Sequence, residues 1–237
     1  EALKEPEEWY PLKVMVCEHC LLVQTEDFVK VDTMFANDYA YFSSYSTSLL
    51  DHAKNYVEAV SSKFSLNSNS TVVEIAANDG YLLQYIKDKN IPCYGIEPTH
   101  NTANAAREKG IEIVEEFFGV DVANRLDKKG RQADLMIANN VLPHVPDIND
   151  FVKGFSILLK PNGVATFEFQ HLLNLINNNQ FDTIYHEHYS YLSLTAVCNI
   201  FDFNGLTVFG VEQISTHGGS LRVYVQLSDS GSYKINS

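Results

Sequence analysis

Apolar residues along the 237-residue chain change their spacing several times, and each change marks an element. Near the start Leu12, Val14 and Val16 alternate with other residues and no helical stripe runs through 1–35, so this stretch reads as a small β-rich module. From 49 the period lengthens. Leu49, Ala53, Tyr56, Val57 and Val60 recur at three- and four-residue spacing, which lays one apolar stripe along a helix. Beyond 70, apolar runs at 71–75, 93–96, 134–138 and 163–169 alternate with helical stretches at 81–87, 101–109 and 148–159, with a turn at Lys160-Pro161-Asn162-Gly163. That alternation predicts βαβ units feeding a mostly parallel sheet, because a parallel crossover needs the length of a helix to return. A last helix carries Leu194, Val197, Cys198 and Phe201, with Ser193 as N-cap and Gly205 past its end, before strands at 206–211 and 220–227.

Composition narrows the partners. With 17 basic against 30 acidic residues the net charge is -13, which repels phosphate backbones and anionic membrane surfaces. No apolar run reaches the roughly 20 residues of a membrane span, and the acidic start is unlike a signal peptide. Neither nucleic acid nor membrane is expected as a partner, and a cytoplasmic protein is. Four scattered cysteines are too few for a disulfide framework and suit a reducing compartment. The chain opens without methionine inside a charged segment, which predicts a piece of a longer protein.

Chemistry first shows after the strand at 71–75. Glu74-Ile75-Ala76-Ala77-Asn78-Asp79-Gly80-Tyr81 runs from strand to helix through small and turn-forming residues, which let a ligand approach the backbone. The three-glycine dinucleotide pattern is absent. The order found resembles the first motif of Rossmann-like methyltransferases, with Ala76 and Asn78 where the first two glycines usually stand. The next strand ends in Gly95-Ile96-Glu97-Pro98, placing a carboxylate where ribose hydroxyls can donate to it, and the strand from 133 ends in Asn139 and Asn140. The expected cofactor-binding set is therefore Glu74, Ala76, Asn78, Gly80, Glu97, Pro98, Asn139 and Asn140.

A second cluster, Tyr185-His186-Glu187-His188-Tyr189-Ser190-Tyr191, holds groups that are costly to bury without partners, so a site is expected there. Two histidines two residues apart could share a metal, but no nearby second cluster completes a tetrahedral zinc set, which favours a general base. Thr216-His217-Gly218-Gly219-Ser220-Leu221-Arg222 offers a glycine turn and a guanidinium, either a diphosphate anchor or a plain hairpin turn.

Together with Asn-Asn-Val-Leu-Pro-His-Val at 139–145, these motifs resemble the S-adenosylmethionine-dependent NDP-sugar C-methyltransferases, which add a branching methyl group to 4-keto-deoxyhexoses. The likeness covers nearly the whole chain. It implies that His188 removes the proton at sugar C3, that Glu187 orients the base and binds hydroxyls, and that Tyr185 and Tyr39 donate to the keto oxygen. It makes His144 a second proton-handling group, while His217, Gly218, Gly219 and Arg222 are the expected substrate-binding set on the strength of the glycine turn and guanidinium alone. It also implies an N-terminal zinc domain with two Cys-x-x-Cys pairs, of which Cys17 and Cys20 resemble the second while the first is missing.

The expected division is a partial zinc-type module at 1–36, an aromatic linker and helix at 37–69, a Rossmann-like methyltransferase domain at 70–227, and a tail or truncated further domain at 228–237. Other readings are a different small-molecule methyltransferase, a nicotinamide-dependent oxidoreductase on the same scaffold, and a non-catalytic binding fragment.

Overall fold

The computed structural model describes residues 9–28 and 39–234. Parts of the expected N-terminal module and linker, at 1–8 and 29–38, and the tail at 235–237 lie outside the described residues. Two short strands, β1 (Val14–Val16) and β2 (Val23–Thr25), form an antiparallel pair, and β2 pairs onward with β8 (Ser190–Tyr191). The N-terminal module is thereby stitched to the segment that carries the Tyr-His-Glu-His cluster.

Helix α1 (Thr47–Lys63) starts where the Ser46 hydroxyl accepts the Leu49 N–H, and it buries Ala53, Tyr56, Val57 and Val60, the stripe read from the sequence. The main domain follows as β3 (Val72–Ile75), α2 (Leu83–Asp88), β4 (Cys93–Ile96), α3 (His100–Glu108), β5 (Glu112–Val114), α4 (Val120–Asp127), β6 (Ala133–Asn139), α5 (Ile148–Leu158) and β7 (Leu159–Gln170). After α6 (Leu172–Asn177) and β8 come α7 (Leu194–Phe203), β9 (Leu206–Ile214) and β10 (Ser220–Leu227).

Seven strands form one sheet in the order β5-β4-β3-β6-β7-β10-β9. The first five run parallel, and β10 is antiparallel to both its neighbours. All four residues of β3 are buried because helices cover both faces, which explains an uninterrupted apolar run in place of alternation. Val73, Ile75, Met136 and Phe167 face the α4, α5 and α7 layer, while Val72, Leu135 and Ile137 face α1, α2 and α3. In the first layer Phe167 sits 4.6 Å from Phe155 and 4.7 Å from Phe201, ring centre to ring centre.

Four elements were not foreseen, β5, α4, α6 and β8. The expected turn at 160–163 is a bulge inside β7: Ala133 pairs with Leu159, but Leu135 pairs with Val164. Among the described residues no helix is long and apolar enough to cross a membrane. The chain leaves β3 toward β4 and β5 and returns to β6 on the other side. The crevice at the carboxyl ends of β3 and β6 is therefore the place where open α/β sheets hold ligands.

Candidate active site

A cleft of about 310 Å³ opens at this edge. Its floor is the β3–α2 loop, where Ala76, Asn78 and Gly80 all take left-handed backbone (φ 56, 49 and 74°). Asparagine and glycine tolerate this conformation, and Ala76 holds it at a cost of about 1 kcal/mol. Glu97 braces the loop from β4: one carboxylate oxygen accepts the Asn78 N–H at 2.8 Å, and the other accepts the Thr99 N–H at 3.0 Å and the Thr99 hydroxyl.

Asn78 also holds the wall above. Its side-chain oxygen accepts the Ser43 N–H at 2.8 Å, and its amide donates to the Tyr41 carbonyl at 3.1 Å. Asn101 donates to the Tyr39 carbonyl at 2.7 Å, so the aromatic segment lies along the cleft, lined by Tyr39 and Tyr41. Burial, then the nearby Glu187 and Glu97, pushes the Tyr39 phenol up to about 12, so it remains a hydrogen-bond donor at neutral pH.

Of the expected cofactor set, Ala76, Asn78, Glu97, Pro98, Asn139 and Asn140 line the cleft. Gly80 shapes the turn from behind, where an added Cβ would come 2.5 Å from Ile111 Cδ1. Glu74 lies beneath the cleft-lining Tyr81. Burial, then Glu97 and Asp79, drives its carboxyl well above the usual range, against a hydrogen bond from Tyr81. Three buried oxygens at this edge, Glu74 Oε2, Asp79 Oδ1 and Asn139 Oδ1, have no hydrogen-bond partner among the described residues. Each orphan costs about 1–3 kcal/mol. Of the three residues Asn139 lines the cleft, so its unmet carboxamide oxygen is the acceptor placed for an N–H or O–H donor of a bound ligand.

Beside Asn140 stand two histidines. His144 Nδ1 donates to the Glu187 carbonyl at 3.0 Å, and His188 Nδ1 donates to the Thr183 carbonyl at 2.8 Å. A carbonyl can only accept, so both rings carry their basic lone pair on Nε2. The Tyr185 hydroxyl donates to His188 Nε2 at 3.1 Å. Burial, then the neighbouring His188, holds His144 down at about 3, and burial also lowers His188, so both rings are neutral at working pH. His144 lines the cleft, whereas His188, 5% exposed, sits behind it with Tyr185 and Glu187 outside the lining. The structure thus groups the expected catalytic residues but leaves His188 outside the cleft lining.

The far end of the cleft is formed by Glu168 at the end of β7, His52 of α1, Thr216, His217 and Ser220. The diphosphate anchor expected here needs correction. Arg222 is committed to Glu168, through Nε at 2.7 Å and Nη2 at 2.6 Å, and to Glu212 at 3.1 Å. The Gly219 N–H donates to the Thr216 carbonyl, and Gly218 and Gly219 pack against Gln180 and Asn174. Of that set His217 alone lines the cleft, on left-handed backbone (φ 51°). His52 and Glu168, joined at 2.7 Å, went unread. A lone glutamate within the apolar run 163–169 was the available signal, since a buried carboxylate demands a partner.

Cys17 and Cys20 lie in a tight loop, where the backbone N–H groups of Cys20 and His19 pull the Cys17 thiol below its ordinary value. Among the described residues no third histidine, cysteine or carboxylate joins them, so they do not complete a tetrahedral zinc set.

A doubly wound sheet with a ligand crevice at its switch point, rimmed by a β4 carboxylate and β6 carboxamides, defines a Rossmann-like cofactor-binding domain. The chain matches the methyltransferase domain family over residues 49–210 and belongs to it. Residues 1–35 match a zinc binding domain family. The chain is 33% identical over 215 residues to the C-methyltransferase NovU of Streptomyces niveus, covering 91% of this chain and 51% of that protein. A weaker similarity, 26% identity over 98 residues, joins 40% of this chain to 41% of the ubiquinone biosynthesis O-methyltransferase of Bordetella avium. The chain thus spans about half or less of the length of these relatives. Among solved structures, the PH0226 protein of Pyrococcus horikoshii superposes with a TM-score of 0.64 at 14% identity, over 79% of this chain and 94% of that one. Magnesium protoporphyrin IX methyltransferase of Synechocystis, with bound SAH, gives 0.57 at 13% identity, over 82% and 90%. The fold is that of S-adenosylmethionine-dependent methyltransferases.

Proposed function

We propose that the chain is the cofactor-binding and catalytic part of an S-adenosylmethionine-dependent C-methyltransferase acting beside the keto group, at C3, of an NDP-4-keto-deoxyhexose. The observation that carries this reading is one cleft at the switch point whose lining joins Glu97 and Asn139 to the neutral imidazole of His144. Glu97 would accept the ribose hydroxyls and Asn78 would seat the amino-acid end. When bound, the cofactor supplies an electrophilic methyl group.

Carbon beside a ketone becomes nucleophilic after it loses a proton, so a neutral base must reach it. His188 takes that role when the Tyr185 hydroxyl leaves His188 Nε2 and turns to the keto oxygen, where Tyr39 also donates. A second reading gives the proton to His144, favoured because His144 lines the cleft and His188 does not. The sugar nucleotide is supported by the sequence likeness and by the similarity to a C-methyltransferase.

Calorimetric titration with S-adenosylmethionine and S-adenosylhomocysteine, with NADH as control, tests the cofactor. Selective binding of the first two is expected. Preferential NADH binding would replace this reading with a nicotinamide-dependent oxidoreductase.

A further inference from the structure

We propose that Thr25 of the N-terminal hairpin is a positioning residue for the proton transfer: it fixes the backbone that carries His188 and, through that backbone, the ring of His144. The proposal rests on the reading that one of these two histidines takes the proton, and it holds whichever of them does.

The hairpin is anchored to the main domain before it reaches the cluster. Its turn carries Cys17 and Cys20 and is closed by the Cys17 N–H, which donates to the Leu22 carbonyl at 2.8 Å. The Leu22 side chain is buried in the main core, and Asn199 of α7 donates to the Cys20 carbonyl at 3.3 Å. From this anchor β2 runs antiparallel to β8, pairing Val23 with Tyr191 and Gln24 with Ser190. Thr25 is the last residue of β2, buried where the ladder passes into the Tyr-His-Glu-His segment.

There Thr25 makes two bonds to consecutive carbonyls. Its hydroxyl donates to the His188 carbonyl at 2.9 Å, and its N–H donates to the Tyr189 carbonyl at 3.0 Å. Tyr189 passes the restraint on, because its own N–H donates to the carbonyl of Pro143, the residue before His144, at 2.8 Å. A main-chain N–H is available from any residue except proline, so the hydroxyl is what threonine adds.

Ring placement follows this backbone. His144 Nδ1 donates to the Glu187 carbonyl and His188 Nδ1 to the Thr183 carbonyl, so each imidazole is held by main-chain oxygen of the same short segment. A shift of that segment moves both basic nitrogens together. Displacements of about 1 Å can cost as much as about 100-fold in rate, which makes one buried donor matter to a group it does not touch. Nearer the chain start, the His186 ring donates to the Pro11 carbonyl at 3.2 Å and meets the Tyr10 ring edge-on, a second clasp between module and segment.

The test compares Thr25→Val and Thr25→Ala, which lack the hydroxyl donor, with Thr25→Ser, which keeps it. A variant is taken as folded when it binds S-adenosylhomocysteine within about threefold of wild type. Turnover is measured with an NDP-4-keto-deoxyhexose, and the imidazole signals of His144 and His188 are followed by heteronuclear NMR in the S-adenosylhomocysteine complex. In Thr25→Val and Thr25→Ala the expected kcat is about tenfold lower with KM within about threefold, and both imidazole signals move. Thr25→Ser should bring turnover back to within about threefold of wild type. Wild-type kcat in a folded variant without the donor, unmoved imidazole signals, or a loss that Thr25→Ser does not recover overturns the proposal. A wild-type protein that leaves the sugar nucleotide unchanged overturns the keto-sugar reading instead, and the imidazole signals then decide the role of Thr25.

Discussion

The ring of His144 meets that of His188 at 65°, with centroids 4.7 Å apart. Two imidazoles this close cannot both be cationic at low cost, and burial already disfavours charge on each. The pair is a store of neutral base in a protein whose surface is strongly acidic.

Stability should therefore fall in mild acid. His144 has a folded pKa near 3, below its unfolded value near 6.5, so between these values the unfolded chain binds the extra proton. The contribution is present above about pH 6.5 and is lost progressively below it. Because His144 borders the open cleft, the loss at pH 5 is about 1 kcal/mol, half of the unscreened amount. Thermal melts at pH 7.5 and 5.0 check this, and His144→Gln should flatten the difference. A wild-type melting temperature that stays level over this range would contradict the assigned neutrality.

The two candidate bases separate by rate. If His188 is the base, His188→Gln lowers turnover with a keto-sugar nucleotide by about 10²–10⁴, and His144→Gln lowers it by roughly tenfold. The reverse order hands the proton to His144. Turnover of both variants at wild-type rates would remove the pair from the mechanism.

Asn78→Gly retains the left-handed backbone but deletes the bonds to Ser43 and Tyr41. The loosened aromatic wall should weaken S-adenosylhomocysteine binding, and two lost hydrogen bonds of about 1 kcal/mol each should lower the melting temperature by about 6 °C. Calorimetry measures the first and a thermal melt the second. Unchanged affinity would mean that the aromatic wall does not depend on Asn78.

Gly95 has no room for a methyl group, since its Cβ would come 2.5 Å from Ala77 Cβ and 2.6 Å from Ile113 Cδ1. Gly95→Ala should cost about 2 kcal/mol by overpacking, a fall of about 6 °C in melting temperature.

Arg222→Met leaves Glu168 and Glu212 without their guanidinium. Removing one partner of a buried pair costs about 3–5 kcal/mol, so a fall of about 10 °C or more is expected, partly recovered when Glu168→Gln is added. A variant of wild-type melting temperature with weakened nucleotide binding would return Arg222 to the diphosphate role read from sequence.

What the chain disclosed depended on whether a signal was local. β3, β4 and β6 could be read because strands covered on both faces are short, solid apolar runs. β5 could not, since among its three residues only Ile113 is fully buried, and α4 mixes Asp121, Asn124, Arg125 and Asp127 into its short length. The rim of the cleft was legible from three strand ends. The partners of Glu168 were not, because His52 lies 116 residues away and Arg222 54. The Tyr-Glu-His cluster announced chemistry, yet spacing within seven residues says nothing of which ring faces a cleft formed by other segments.

The stitches from Asn78 to Ser43 and Tyr41, and from Asn101 to Tyr39, have a thermodynamic corollary. The loop that seats one ligand also carries the aromatic side chains that would greet the other, so each ligand's affinity must respond to the other by the same factor. Such reciprocity means that whichever ligand enters first changes the affinity for the second to the same degree.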